Sequence, residues 1–193
     1  MQTATQRGLE PVKFLIDKTA SRFTVQTFAT GLLSSFGHNP IIGIRDFAGE
    51  VQFVPATYEK AHLRVSLRTA DLEILDEMKS DDRKKIEQTM YQDVLEVQRF
   101  PEAVYESKDI AIQKLSNDLL LARIAGDLSF HGATQGQSIE VRVTDMGTML
   151  RISGEFSLRQ SDYNIKPFSF AGGALRLKDE LMFKFEFVAR PQE

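Results

Sequence analysis

The feature that most restricts this chain is a two-residue alternation of apolar and polar side chains that recurs along most of its length. Leu63, Val65 and Leu67 alternate with Arg64, Ser66 and Arg68, and Ile139, Val141 and Val143 alternate with Glu140, Arg142 and Thr144. Ile152, Gly154, Phe156 and Leu158 sit between Arg151, Ser153, Glu155, Ser157 and Arg159. Leu181, Phe183, Phe185 and Phe187 alternate with Met182, Lys184, Glu186 and Val188. Successive side chains of a strand point to opposite faces, so each run predicts a strand with one wet and one dry face.

Further strands are expected over 12–17, 23–30, 46–54, 103–112 and 119–130. Phe47, Gly49, Val51 and Phe53 share one face of the third of these. Leu120, Ala122, Ile124, Gly126, Leu128 and Phe130 share one face of the last. Turn signals at Asp145-Met146-Gly147, Ser116-Asn117-Asp118, Gly132 and Gly136 separate the runs. About eight or nine strands in regular succession point to hairpins, hence to an antiparallel sandwich or barrel. A barrel also removes the edges that so many strands would otherwise expose.

One stretch departs from the β pattern. Met78, Ile86, Met90 and Val94 share a helical face, which predicts a helix over 81–91, capped by Ser80 or Asp81 and acidic in its first turn. A shorter apolar helix or turn is expected within 31–44, interrupted at Asn39-Pro40. The first helix would cover one mouth of a barrel. The whole chain, 1–193, is expected to form one domain, with 1–11 as a flexible N-terminal segment.

Composition narrows the function classes. The 24 basic and 27 acidic residues leave a net charge of −3, with no basic stripe, which argues against nucleic acid as a partner. The absence of cysteine excludes disulfides, thiolate metal sites and a cysteine nucleophile. No apolar run reaches the length that spans a bilayer. Residues 1–11 are polar, so no signal peptide is visible. The expectation is a cytoplasmic protein, or a periplasmic one if a leader has been removed.

The inward faces are rich in phenylalanine: the chain holds 14 Phe, no Trp and 4 Tyr. Phe has no polar handle, so it suits a dry interior. An eight-stranded barrel is just wide enough either to pack solid or to hold one small ligand. The pattern leaves both readings open.

Several segments, in order, carry a likeness. FLID (14–17), IRDFAGEVQF (44–53), DVLEVQRFPEAVYES (93–107), GDLSFHGATQ (126–135), RQSDYNI (159–165) and LKDELMFKFEFVA (177–189) resemble the YceI family of lipocalin-like, polyisoprenoid-binding proteins. The resemblance implies an extended eight-stranded antiparallel barrel with a helical insertion between strands. It also implies an apolar tunnel for a polyprenyl lipid, an isoprenoid quinone or a fatty amide. The protein is then a carrier, store or sequestering agent and not an enzyme, with no cofactor beyond such a lipid or quinone. The alternative is a solid-cored barrel acting as an interaction module or homodimer.

On this reading the tunnel wall is Phe23, Val25, Phe47, Val51, Phe53, Val65, Leu67, Tyr105, Leu128, Phe130, Phe156, Leu158, Phe183 and Phe185. The mouth is Ile86, Met90, Phe36 and His38. His38 either touches a ligand head group or closes its Gly-rich loop. His131, in the GDLSFHG turn, is expected to hydrogen-bond a neighbouring strand end, and His62 to be solvated at a strand start. Asp17 and Ser161-Asp162-Tyr163 are expected to stitch barrel corners. No metal-ligand spacing, nucleophile elbow or phosphate loop is present, so neither a catalytic residue nor a metal site is expected.

Overall fold

The computed structural model describes residues 10–30, 39–55, 57–170 and 175–192. In chain order the elements are β1 (Val12–Ile16), β2 (Arg22–Gln26), β3 (Ala29–Thr30), β4 (Ile41–Ile44), β5 (Phe47–Phe53), β6 (His62–Arg68), β7 (Leu72–Ile74), α1 (Ser80–Thr89), a π-helical turn (Met90–Val94), β8 (Glu102–Lys114), β9 (Leu119–Phe130), β10 (Ala133–Asp145), β11 (Leu150–Arg159), a 3-10 turn (Gln160–Tyr163), β12 (Ser169–Phe170), β13 (Leu175–Leu177) and β14 (Glu180–Pro191).

Eight staves make the barrel, because three pairs of short strands act as single bent ones. β1 and β2 follow each other along the same edge of β14. From Ile16↔Ala189 to Arg22↔Glu186 the first stave advances six positions against three on β14, so three residues bulge out at the corner. In the same way β4 continues into β5, and β6 into β7, since β2–β4 and β4–β7 extend the β1–β5 and β5–β6 pairings. The ring then runs β1/β2, β4/β5, β6/β7, β8, β9, β10, β11, β14 and back to β1/β2, all antiparallel. This is an up-and-down closed barrel.

Asp17 builds the bulged corner. Its Oδ1 accepts from Thr19 N at 3.0 Å and Thr19 Oγ1 at 2.6 Å, and its Oδ2 accepts from Arg190 Nε at 3.0 Å. Ser21 Oγ donates to the Asp17 carbonyl at 2.7 Å and accepts from Val188 N at 2.9 Å. The stitching role expected of Asp17 is what the corner requires. Ser161 plays a similar part, holding Asp179 through its backbone N–H (2.8 Å) and hydroxyl (2.6 Å).

The two ends of the barrel differ. The described residues of the connections 27–40, 75–101, 131–132 and 160–179 gather at one end, which we call upper; those of 54–61, 115–118 and 146–149 gather at the other. At the upper end β12, β13 and β3 form a small three-stranded sheet from the first and last of the long connections.

Two expectations need correction. Ile41–Ile44 is a strand, paired with β2 and β7, and not part of a helix. A four-residue apolar run has too little length to show its period, and β-branched isoleucines between two partner strands settle it as β. The remainder of that expected element, 31–38, lies outside the described residues. In addition, α1 starts after Lys79, whose side chain makes no cap bond; neither Ser80 nor Asp81 is the cap. The acids Asp81 and Asp82 do occupy the first turn, where they favour the positive end of the helix dipole.

Helix α1 contains no fully buried residue and is held to β7 by polar contacts. Arg83 donates to the carbonyls of Ile74 and Asp76, Glu87 Oε1 accepts from Ile74 N at 3.1 Å, and the Tyr91 hydroxyl donates to the Leu72 carbonyl. This leaves Ile86 of the helix, and Met90 at the start of the π-helical turn that follows it, to face the interior.

Candidate ligand-binding cavity

Inside the ring lies a cavity of about 260 Å³. All eight staves contribute to its wall, and the helical insertion contributes Met78, Ile86, Met90, Val94 and Leu95. Wall residues extend along most of a stave: on β8 they run from Ala103 to Ile112, roughly 30 Å along an extended strand.

The wall is almost wholly apolar, and no charged side chain lines it among the described residues. Its few polar groups are already hydrogen-bonded within the protein, Tyr58 to the Asp145 carboxylate and the others to backbone carbonyls. Thr27 Oγ1 donates to Pro40 O at 2.9 Å, Thr69 Oγ1 to Phe100 O at 2.7 Å, and Gln160 Nε2 to Lys178 O at 2.9 Å. Tyr105 donates to Gln137 O at 3.0 Å. Burial, reinforced by Asp127, pushes the Tyr105 phenol up to about 12, so it stays neutral.

Fourteen of the expected wall and mouth residues line the cavity: Phe23, Val25, Val51, Phe53, Val65, Leu67, Ile86, Met90, Tyr105, Leu128, Phe130, Phe156, Phe183 and Phe185. Two do not. Phe47 is buried behind the wall, its ring 5.8 Å from Phe23 and 5.4 Å from Phe187, which cover it. Leu158 is buried in the core cluster, paired in register with Leu181, and stands off the wall. Alternation places a side chain on the inner face without saying whether a neighbour lies over it. Phe36 and His38 lie outside the described residues.

The phenylalanines form a connected set. Phe23 stands at its centre, with ring centroids 5.4–6.2 Å from Phe47, Phe183, Phe185 and Phe187. Phe156 stacks on Phe183 at 4.9 Å. Wall residues missed by sequence reasoning include Ile42, Ile74, Phe168, Gln160 and Tyr58. Ile110 and Ile112 carried a legible alternation; Tyr58 lies in a polar loop and carried none.

The remaining candidates sit away from the cavity. His131 is buried in the tight turn between β9 and β10, with Nδ1 3.1 Å from the Tyr163 carbonyl. His62, half-buried at the start of β6, has Nε2 2.8 Å from Glu106 Oε1.

The family model of the YceI-like domain matches residues 14–189. The chain belongs to the YceI-like family. Solved structures agree at the level of the fold. BcnA from Burkholderia cenocepacia superposes with a TM-score of 0.69 at 18% identity, covering 90% of this chain and 98% of BcnA. A polyisoprenoid-binding domain from Saccharophagus degradans, implicated in plant cell wall breakdown, gives 0.69 at 11% identity over 94% and 99% of the two chains. The YceI protein of Campylobacter jejuni gives 0.59 at 16% identity over 79% and 85%. A search of curated proteins finds no match. No helix of this YceI-like chain is long and apolar enough to cross a membrane among the described residues.

Proposed function

We propose that this YceI-like barrel binds an amphiphile with a long apolar chain, of the isoprenoid or fatty class, and carries, stores or sequesters it without chemical change. The observation that carries this reading is the axial cavity whose wall is apolar along nearly its whole length. At roughly 0.8 kcal/mol per buried CH₂, five methylenes withdrawn from water contribute about 4 kcal/mol. Affinity then needs few polar contacts, which matches a wall whose hydroxyl and amide donors are already spent within the protein. Polyprenyl lipids, isoprenoid quinones and fatty amides all fit that description. The Saccharophagus domain of the same fold, described as polyisoprenoid-binding, supports the same class.

The experiment is extraction of the purified protein followed by mass spectrometry, with titration of the emptied protein by a polyprenol and a long-chain quinone. A co-purifying long-chain lipid, or saturable binding of either probe, is expected. Recovery of no lipid together with no binding overturns the reading in favour of an interaction module.

A further inference from the structure

One side chain crosses the lower end of the cavity. The loop joining β5 to β6 carries Tyr58, which lines the cavity. Its hydroxyl donates to Asp145 Oδ2 at 3.1 Å, across 87 positions of sequence. Asp145 ends β10. In the ring, β4/β5 and β10 are separated by β6/β7, β8 and β9 on one side and by β11, β14 and β1/β2 on the other. They stand opposite each other, so the phenol reaches across the barrel and does not lie along its rim.

Both ends of this bar are fixed. The Tyr58 ring packs on Phe53 at 5.5 Å, and its backbone N–H donates to Val54 O at 2.8 Å. Tyr58 has φ 57, a left-handed conformation that bulky residues rarely adopt; it is the backbone arrangement that brings this ring to the cavity. Asp145 is held in turn: its Oδ1 accepts from Gly147 N at 2.9 Å and its own N–H donates to Asp118 O at 2.8 Å. Ala61, Ile112 and Leu150 line the cavity at this level. At the upper end Met78 and Ile86 of the helical insertion line it instead.

We propose that Tyr58 is the floor of the cavity and sets the longest chain that the barrel accepts whole. The inference rests on the lipid-binding reading above and adds to it a direction and a limit. The tail tip points at Tyr58 and the head group lies at the helical end. A guest longer than the limit must either leave part of its tail in water or displace a phenol that is hydrogen-bonded across the ring.

The test uses the full chain and a homologous set of prenyl alcohols: geraniol, farnesol, geranylgeraniol and solanesol. Displacement of a fluorescent apolar dye gives the affinities, and circular dichroism checks the fold of each variant. The wild type is expected to gain affinity with each added isoprene unit up to a limit and then to stop gaining. Tyr58→Ala is expected to raise the affinity of the first alcohol beyond that limit by about tenfold or more, since roughly two newly buried methylenes suffice. Tyr58→Trp is expected to move the limit to a shorter alcohol, which decides the matter if Tyr58→Ala does not fold. A limit that neither variant moves, or a wild type with no limit, overturns the floor. A wild type that binds neither dye nor any alcohol overturns the lipid-binding reading itself, and the floor with it.

Discussion

His131 and Tyr163, 32 positions apart, are joined by an imidazole Nδ1 that donates to a backbone carbonyl at 3.1 Å. The carbonyl can only accept, so Nδ1 carries the hydrogen. The other nitrogen, Nε2, makes no hydrogen bond, although Glu96 Oε2 lies 3.4 Å away. Phe100 packs on the ring at 4.2 Å. One buried side chain in a two-residue turn therefore touches two of the three long upper connections, the helical one through Glu96 and Phe100 and the last one through Tyr163.

Replacement of His131 separates turn geometry from this bridging. His131 and Gly132 both have positive φ (49 and 76), the conformation of a type I′ hairpin, which asparagine adopts more readily than histidine. His131→Asn is nevertheless expected to destabilise the fold, by about 1–3 kcal/mol, because the Tyr163 carbonyl loses its donor and the Phe100 ring its cover. Urea unfolding measures it. A variant as stable as the wild type would show that the turn alone matters.

Gly126 is an inward position with no room for a side chain. A Cβ there would stand 2.4 Å from the Glu106 carbonyl and 2.8 Å from the Tyr105 ring. Gly126→Ala is expected to cost about 1–3 kcal/mol through overpacking. Gly136→Ala, where a Cβ meets nothing within 4 Å, is the control expected to change little.

All four tyrosines are held up above the ordinary phenol range, by burial first and nearby carboxylates second. Tyr105 and Tyr163 are pushed up to about 12, Tyr58 and Tyr91 less far. The folded barrel therefore keeps protons that the unfolded chain gives up. This contribution to stability is fully present below pH about 10 and is lost as pH climbs through about 12. Ultraviolet titration is expected to show less than half of the tyrosine ionised at pH 10 in the folded protein, and about half in guanidinium.

Asp17 works in the opposite direction. Its hydrogen bond from the Thr19 hydroxyl, followed by that from Arg190, lowers its pKa from 3.8 to about 2. Its stabilising contribution is present above pH about 4 and is lost as pH falls through about 2. Asp17→Asn is expected to lower the thermal midpoint at neutral pH and to weaken the dependence of stability on pH in that acidic window. Midpoints measured across the window in both proteins check this.

The eight staves were legible because each buries one face, and a period of two survives in sequence wherever that is so. The row Leu181, Phe183, Phe185 and Phe187 is the clearest case. Legibility fell where depth depends on another strand. Phe47 obeys the same alternation as Val51 yet lies behind Phe23 and Phe187. It fell again where function sits in a connection. Tyr58 is surrounded in sequence by Thr57, Glu59 and Lys60, and only closure of the ring brings it opposite Asp145. Alternation by itself could not choose between a filled barrel and a hollow one, because both present the same inward side chains.

The strand that completes the ring is made last. β14 pairs with β11 on one edge and with β2 and β1 on the other, so no closed interior exists until residues 180–191 have been synthesised. Before then the chain holds at most an open seven-stave sheet with two bare edges and wet phenylalanines, a state prone to sticking to its own kind. An oily molecule present at that moment would dress the exposed rows as they curl, so such a barrel can be filled by being built around its cargo as well as by threading it afterwards.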